Sequence, residues 1–97
     1  MAAYVLAEIE ITNPDGYKEY TSHVPATIAK YGGRFLVRGG NAEVLEGEWP
    51  QHRRVLIEFP SMEQAKRWWD SPEYAKPKAL RRANSHGRLI LMDGAPG

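Results

Sequence analysis

The strongest constraint on this chain is the stretch Gly32-Gly33-Arg34-Phe35-Leu36-Val37-Arg38-Gly39-Gly40, a strand-length segment closed at each end by a glycine pair. Side chains on a strand alternate between faces, which predicts Phe35 and Val37 on one side and Arg34, Leu36 and Arg38 on the other. Three more segments carry the same asymmetry. Val5, Ala7, Ile9 and Ile11 alternate with Tyr4, Leu6, Glu8 and Glu10; Val55, Ile57 and Phe59 with Arg54, Leu56 and Glu58; Leu89 and Leu91 with Arg88, Ile90 and Met92. The first set suits a covering layer of helices. The second mixes Leu6, Leu36, Leu56, Ile90 and Met92 with Glu8, Arg38 and Glu58, too apolar for water and too charged for a dry core. A second copy of the chain is the simplest cover for it.

The segments between the strands read as helices. After a first strand from Ala3 to Ile11, Asn13 can cap a helix and Pro14 fits its first turn. Tyr17, Tyr20, Val24, Ile28 and Tyr31 then recur at spacings of three and four. Pro25 removes a backbone donor from that helix and predicts a kink or local unwinding near Thr21 and Ser22. Beyond Gly39-Gly40, residues 41–47 read as a short extended piece, and 48–52 have no period, giving a long decorated hairpin up to the strand Arg53 to Phe59. Ser61 with Gln64 has the form of a capping box, opening a helix with Met62, Ala65 and Trp69 on one face. Ser71-Pro72 breaks it and starts another helix, to about Ala83, with Tyr74, Leu80 and Ala83 inward. A last strand runs from His86 to Asp93, and 94–97 read as a frayed tail. Strand, helix, strand, strand, helix pair, strand is the order of an α+β, ferredoxin-like βαββαβ plan, with a four-stranded antiparallel sheet and the helices on one face.

A length of 97 residues fits one domain, 1–97. Thirteen basic and twelve acidic side chains leave a net charge of +1, too weak a field to argue for nucleic acid or an anionic membrane. With no cysteine there is no disulfide framework, thiolate nucleophile or zinc ribbon. The apolar start Met1 to Ala7 has no basic residue before it and is interrupted by Glu8 and Glu10, so it does not read as a signal peptide. No apolar run approaches the ~20 residues needed to span a bilayer, and a cytoplasmic location is the expectation.

Tyr4-Val5-Leu6, Tyr17-Lys18-Glu19-Tyr20, the Gly32 to Gly40 segment, Leu45-Glu46-Gly47, Glu58-Phe59-Pro60, Trp68-Trp69-Asp70-Ser71-Pro72-Glu73-Tyr74 and Arg81 together resemble the uncharacterised domain-of-unknown-function family thirteen-thirty. The resemblance covers nearly the entire chain. It implies the dimeric α/β-barrel superfamily, in which two ferredoxin-like subunits press their open sheet faces together, the same pairing that the mixed face suggests independently. That superfamily includes cofactor-free monooxygenases, haem-degrading enzymes, muconolactone isomerases and dye-decolourising peroxidases, so the resemblance leaves the reaction open.

Several chemistries can be weighed on residue type alone. His23, His52 and His86 have no ligand-like spacing, and metal sites gather at least three convergent ligands, so neither metal nor cofactor is expected. A haem would need one axial histidine, for which His23 is the best placed. Ser22 beside His23 points about 100° away on a helix, and no nucleophile elbow is present. An RNA-recognition sheet would carry aromatics where Arg53 to Pro60 has Glu58. A polar-aromatic constellation is left. Tyr17, Tyr20 and His23 sit on the first helix, Trp68, Trp69, Ser71 and Tyr74 surround the helix break, and Arg38, Glu46 and Glu58 lie on or near the sheet. One reading has these aromatics simply packing and Arg38 pairing with Glu58 or Glu8 at a dimer seam. The other has a cleft at the helix break, with Tyr20, Arg38, Trp68, Tyr74 and Arg81 binding a small organic acid or aromatic metabolite, and His23 or Glu58 moving a proton. The first makes a non-catalytic homodimer that binds or stabilises; the second makes a small cofactor-independent enzyme of oxygenase or isomerase type.

Overall fold

The computed structural model describes residues 1–96. Its elements are β1 (Ala3–Ile11), α1 (Pro14–Lys30), β2 (Arg34–Arg38), β3 (Arg53–Phe59), α2 (Met62–Trp69), α3 (Pro72–Asn84) and β4 (Ser85–Asp93). The predicted caps form. The Asn13 side chain accepts from the Gly16 amide, Ser61 from Gln64 at 3.1 Å, and Ser71 from Tyr74 at 3.1 Å, each satisfying an amide that the first turn leaves free. Gly32, at φ 79°, turns the chain out of α1, and the Gly33 amide reaches back to the Ile28 carbonyl at 3.0 Å.

The strands form one antiparallel sheet in the order β2-β3-β1-β4. This is the ferredoxin-like arrangement expected from the element order. In the register, Val5 faces Ile57 and Leu91, while Leu6 faces Leu56 and Ile90. One face therefore presents Val5, Ala7, Ile9, Val55, Ile57 and Phe59 to the helices, and all six are buried. Tyr17, Tyr20, Val24, Ile28, Ala65, Trp68 and Tyr74 close over them. Trp68 is the centre of that layer: it stacks on Tyr74 with centroids 4.1 Å apart, lies 5.4 Å from Phe59, and donates its indole N–H to Thr27 Oγ1 at 3.0 Å. The other face stays open, with Leu6, Leu36, Ile90 and Met92 exposed.

The structure corrects the sequence reading in five places. Between Phe35 and Val37 the register slips, so that Phe35 faces Ile57 but Val37 faces Leu56 and Arg38 faces Val55. This bulge turns Val37 to the open face and Arg38 to the helix side, the reverse of strict alternation, and an edge strand tolerates it because only one neighbour must be matched. Secondly, α1 stays helical through Pro25. The proline has no N–H for the Thr21 carbonyl, and Arg38 Nη2 donates to that oxygen instead, at 3.2 Å. Thirdly, residues 41–47 form no strand; the connection is irregular and exposed, held by Trp49 Nε1 on the Glu46 carbonyl at 3.0 Å and Arg54 Nη2 on the Pro50 carbonyl at 2.6 Å. Fourthly, the inward faces of the later helices are shifted: Trp68 rather than Trp69 is fully buried on α2, and Arg81 and Asn84 rather than Ala83 are buried on α3. Lastly, α3 passes directly into β4 at Ser85, whose hydroxyl donates to the Arg81 carbonyl at 2.6 Å. At the tail, the Gly94 amide bonds the Ala2 carbonyl at 2.8 Å, and Gly97 lies outside the described residues.

Candidate functional site

The helix-sheet layer is not filled throughout. Towards the end where α1 begins and α3 ends, a cavity of about 30 Å³ remains between the sheet and the two helices. Its polar lining consists of Tyr17, Tyr20, Thr21, Arg38, Arg53 and Arg81, and the rest of the wall is apolar. Each side chain arrives for a local reason. Tyr17 and Tyr20 belong to the buried stripe of α1. Arg53 shares the parity of Val55 and Ile57 on β3, and its guanidinium packs on Gly39, where a Cβ would meet Nη1 at 2.2 Å. Arg81 continues the buried stripe of α3 one turn past Pro77 and is only 4% exposed.

The buried polar groups here form one connected chain. Arg81 Nε lies 3.3 Å from the Tyr74 hydroxyl, which lies 3.0 Å from the Tyr20 hydroxyl. Burial, reinforced by the neighbouring Tyr74, pushes the Tyr20 phenol far above its ordinary range, so it remains a neutral hydroxyl. Burial also raises Tyr17, against the pull of Arg53, whose guanidinium lies 5.8 Å from the Tyr17 ring centroid. Arg53 Nε is buried without a hydrogen-bond partner. Among the described residues, no carboxylate lines the cavity, and none forms an ion pair with Arg38, Arg53 or Arg81.

On the open face the opposite holds. Glu8 takes His52 Nδ1 at 3.2 Å and Arg88 Nη2 at 3.1 Å, with Arg54 Nη2 at 3.8 Å, and these partners, His52 foremost, hold its carboxyl below the usual range. Glu58 takes Arg34 Nε at 2.8 Å and the Tyr4 hydroxyl at 3.1 Å. The carboxylates of this face are matched by its own cations and donors.

The family described as Domain of unknown function (DUF1330) matches residues 2–95. The chain belongs to this family. No curated protein matches it. Among solved structures, this DUF1330 chain is similar to a protein of unknown function from Rhodopseudomonas palustris, with a TM-score of 0.79 at 17% identity over 99% of this chain and 84% of that one. A dimeric ferredoxin-like protein of unknown function from Jannaschia sp. CCS1 has a TM-score of 0.73 at 10% identity, over 97% and 100% of the two chains. SnoaB, a cofactor-independent oxygenase from Streptomyces nogalater, has a TM-score of 0.67 at 13% identity, over 99% and 95%. At such identities the likeness is one of fold.

Of the residues predicted for a site, Tyr20, Arg38, Trp68 and Arg81 all line the cavity of the DUF1330 chain, and Tyr74 backs it through the hydroxyl chain. His23 and Glu58 are not brought there. His23 is exposed on the outer side of α1, beside a groove shared with Glu19, Glu73 and Lys76. Glu58 stands on the open face. The Arg38–Glu58 pair expected at the seam does not form either, because the bulge sends Arg38 through to the helix side. Arg53 was missed although its signal was present: it has the inward parity of its strand, and an arginine at an inward position needs a reason. Among the described residues, no three His, Asp or Glu gather as metal ligands, and no helix is long and apolar enough to cross a membrane.

Proposed function

We propose that this DUF1330 chain works in the cytoplasm as a homodimer whose subunits pair through their open sheet faces, each subunit binding a small organic molecule in its helix-sheet cavity without metal or cofactor. The observation that carries the reading is the cavity itself: a gap in the helix-sheet layer lined by tyrosines and arginines, with Arg53 Nε buried and unpartnered. Pairing is supported by the exposed Leu6, Leu36, Ile90 and Met92 on a face whose carboxylates Glu8 and Glu58 are already held by its own cations and donors, so that covering it strands neither of them. The dimeric ferredoxin-like neighbour supports it as well.

Cofactor-independent chemistry of oxygenase or isomerase type is supported by the likeness of fold to SnoaB. Such turnover would rest on an acidic substrate, since neither His23 nor Glu58 reaches the cavity to act as base. The same placement favours a second reading, binding without turnover. Incubating the protein in air with a panel of organic acids and phenols, and following products by mass spectrometry, separates them. Product formation that depends on the protein establishes catalysis; a saturable thermal shift with unchanged reagents establishes binding alone.

A further inference from the structure

The donor inventory of the cavity narrows what it takes. Arg81 Nε can only donate, so the Tyr74 hydroxyl accepts from it. Tyr74 and Tyr20 then share one hydrogen bond but own two hydroxyl protons, and one proton is left over. When Tyr74 donates to Tyr20 the proton left over is the Tyr20 one, and Tyr20, unlike Tyr74, lines the cavity in which an acceptor would receive it. Arg53 Nε is a second buried donor without an acceptor. Arg81, 96% buried by its 4% exposure, is a cation with no carboxylate beside it among the described residues. A buried charge without a counter-charge is costly, and three groups with a donor to offer around one hollow are satisfied together by an anion that only accepts.

Size sets the limit on what enters. About 30 Å³ is room for roughly one or two water-sized groups, enough for the oxygens of a carboxylate and too little for a ring. Arg81 and Leu89 also line an open hollow on the outer side, together with Trp69, Arg82 and His86. They form the partition between the two spaces, and the body of a larger ligand would extend past them towards β4.

We propose that the cavity is a carboxylate site, in which the head group of a small organic acid lies between Arg53 and Arg81 and accepts the Tyr20 hydroxyl proton, its remainder directed towards the hollow beside Trp69. This rests on the cavity being the binding site and adds the charge, the anchoring residues and the direction of entry.

The test is an isosteric series, benzoate against benzamide and acetate against acetamide, followed by the arginine side-chain Nε–Hε resonances and the melting temperature. Benzoate and acetate are expected to shift the Arg53 and Arg81 resonances saturably, with the amides at least tenfold weaker. Tyr20→Phe and Arg53→Met are each expected to weaken benzoate tenfold or more while keeping a native melting transition. Arg67→Ala, at an exposed pair with Glu63, should change nothing. Arg81→Met removes a buried group, so Arg53→Met decides the matter if that protein fails to fold. Amides that bind at the same resonances as tightly as the acids overturn the carboxylate assignment and leave the cavity as the binding site. Carboxylates that bind while both variants bind them normally overturn the anchoring residues. A full series that leaves the cavity resonances unmoved overturns the carboxylate site and the cavity reading together.

Discussion

The two faces of the sheet are built from the same four strands and handle charge in opposite ways. On the open face Glu8 and Glu58 are each held by neighbouring cations and donors, and the apolar side chains between them are exposed. On the helix face the aromatics are packed closed, yet Arg53 and Arg81 come inside without a carboxylate. A face that neutralises itself can be covered by a like surface at little electrostatic cost. A face that imports cation and leaves it unmatched is suited to an anion from outside. The contrast teaches that the same alternating pattern can make a seam on one side and a site on the other, depending on where the counter-charges stand.

The largest effect should come from the closed part of the helix face. Trp68→Ala removes the stack on Tyr74 and the bond to Thr27, and a loss of about 3–5 kcal/mol in urea unfolding is expected. A loss below 1 kcal/mol would mean that this layer is not the core it is taken for. Next comes the open face. Leu56 faces Leu6 there, so Leu56→Asp places an unmatched carboxylate in the proposed seam at a cost of several kcal/mol. Light scattering should fall from twice the 11.0 kDa chain mass to one chain mass, with the subunit still folded. Wild type measured as a monomer at micromolar concentration removes the seam from the comparison.

Arg38 sharpens the contrast because it was expected on one face and lies on the other. Its bond to the Thr21 carbonyl is exposed, so Arg38→Ala should cost about 0.5–1.5 kcal/mol and leave the dimer intact. A loss of 3–5 kcal/mol with dissociation would restore it to the seam. The smallest expected effect lies outside both faces. Glu73, bonded by Lys30 and by Tyr31, has its carboxyl lowered to about 2 from 4.5. A depressed carboxyl contributes stability above its unfolded value, lost as pH falls through the folded one. The wild-type advantage over Glu73→Gln in melting temperature should therefore be full above about pH 4.5 and vanish towards pH 2.

Much of the fold was legible because its signals are local. Asn13, Ser61 and Ser71 cap helices with the atoms next to them, and the alternation of Val5, Ala7 and Ile9 needs no partner to be read. What was hidden depended on pairing. The bulge after Phe35 is set by β3, and no residue within Arg34 to Arg38 announces it; once it forms, Arg38 changes face and meets the carbonyl that Pro25 leaves free. Of the candidate site, Tyr20, Trp68, Tyr74 and Arg81 were found from helical spacing and family likeness. His23 and Glu58 were chosen for their chemistry, and their distance from the cavity follows from helix phase and strand parity that chemistry does not report. Arg53 could have been found from parity alone.

The most direct measurement is a crystal structure of the protein grown with benzoate. Carboxylate density between Arg53 and Arg81 on the helix side, with the open sheet faces of two copies apposed, is the result the account predicts. Carboxylate bound on the open face beside Arg34, Arg54 or Arg88, or an empty cavity with that face in solvent, would contradict it.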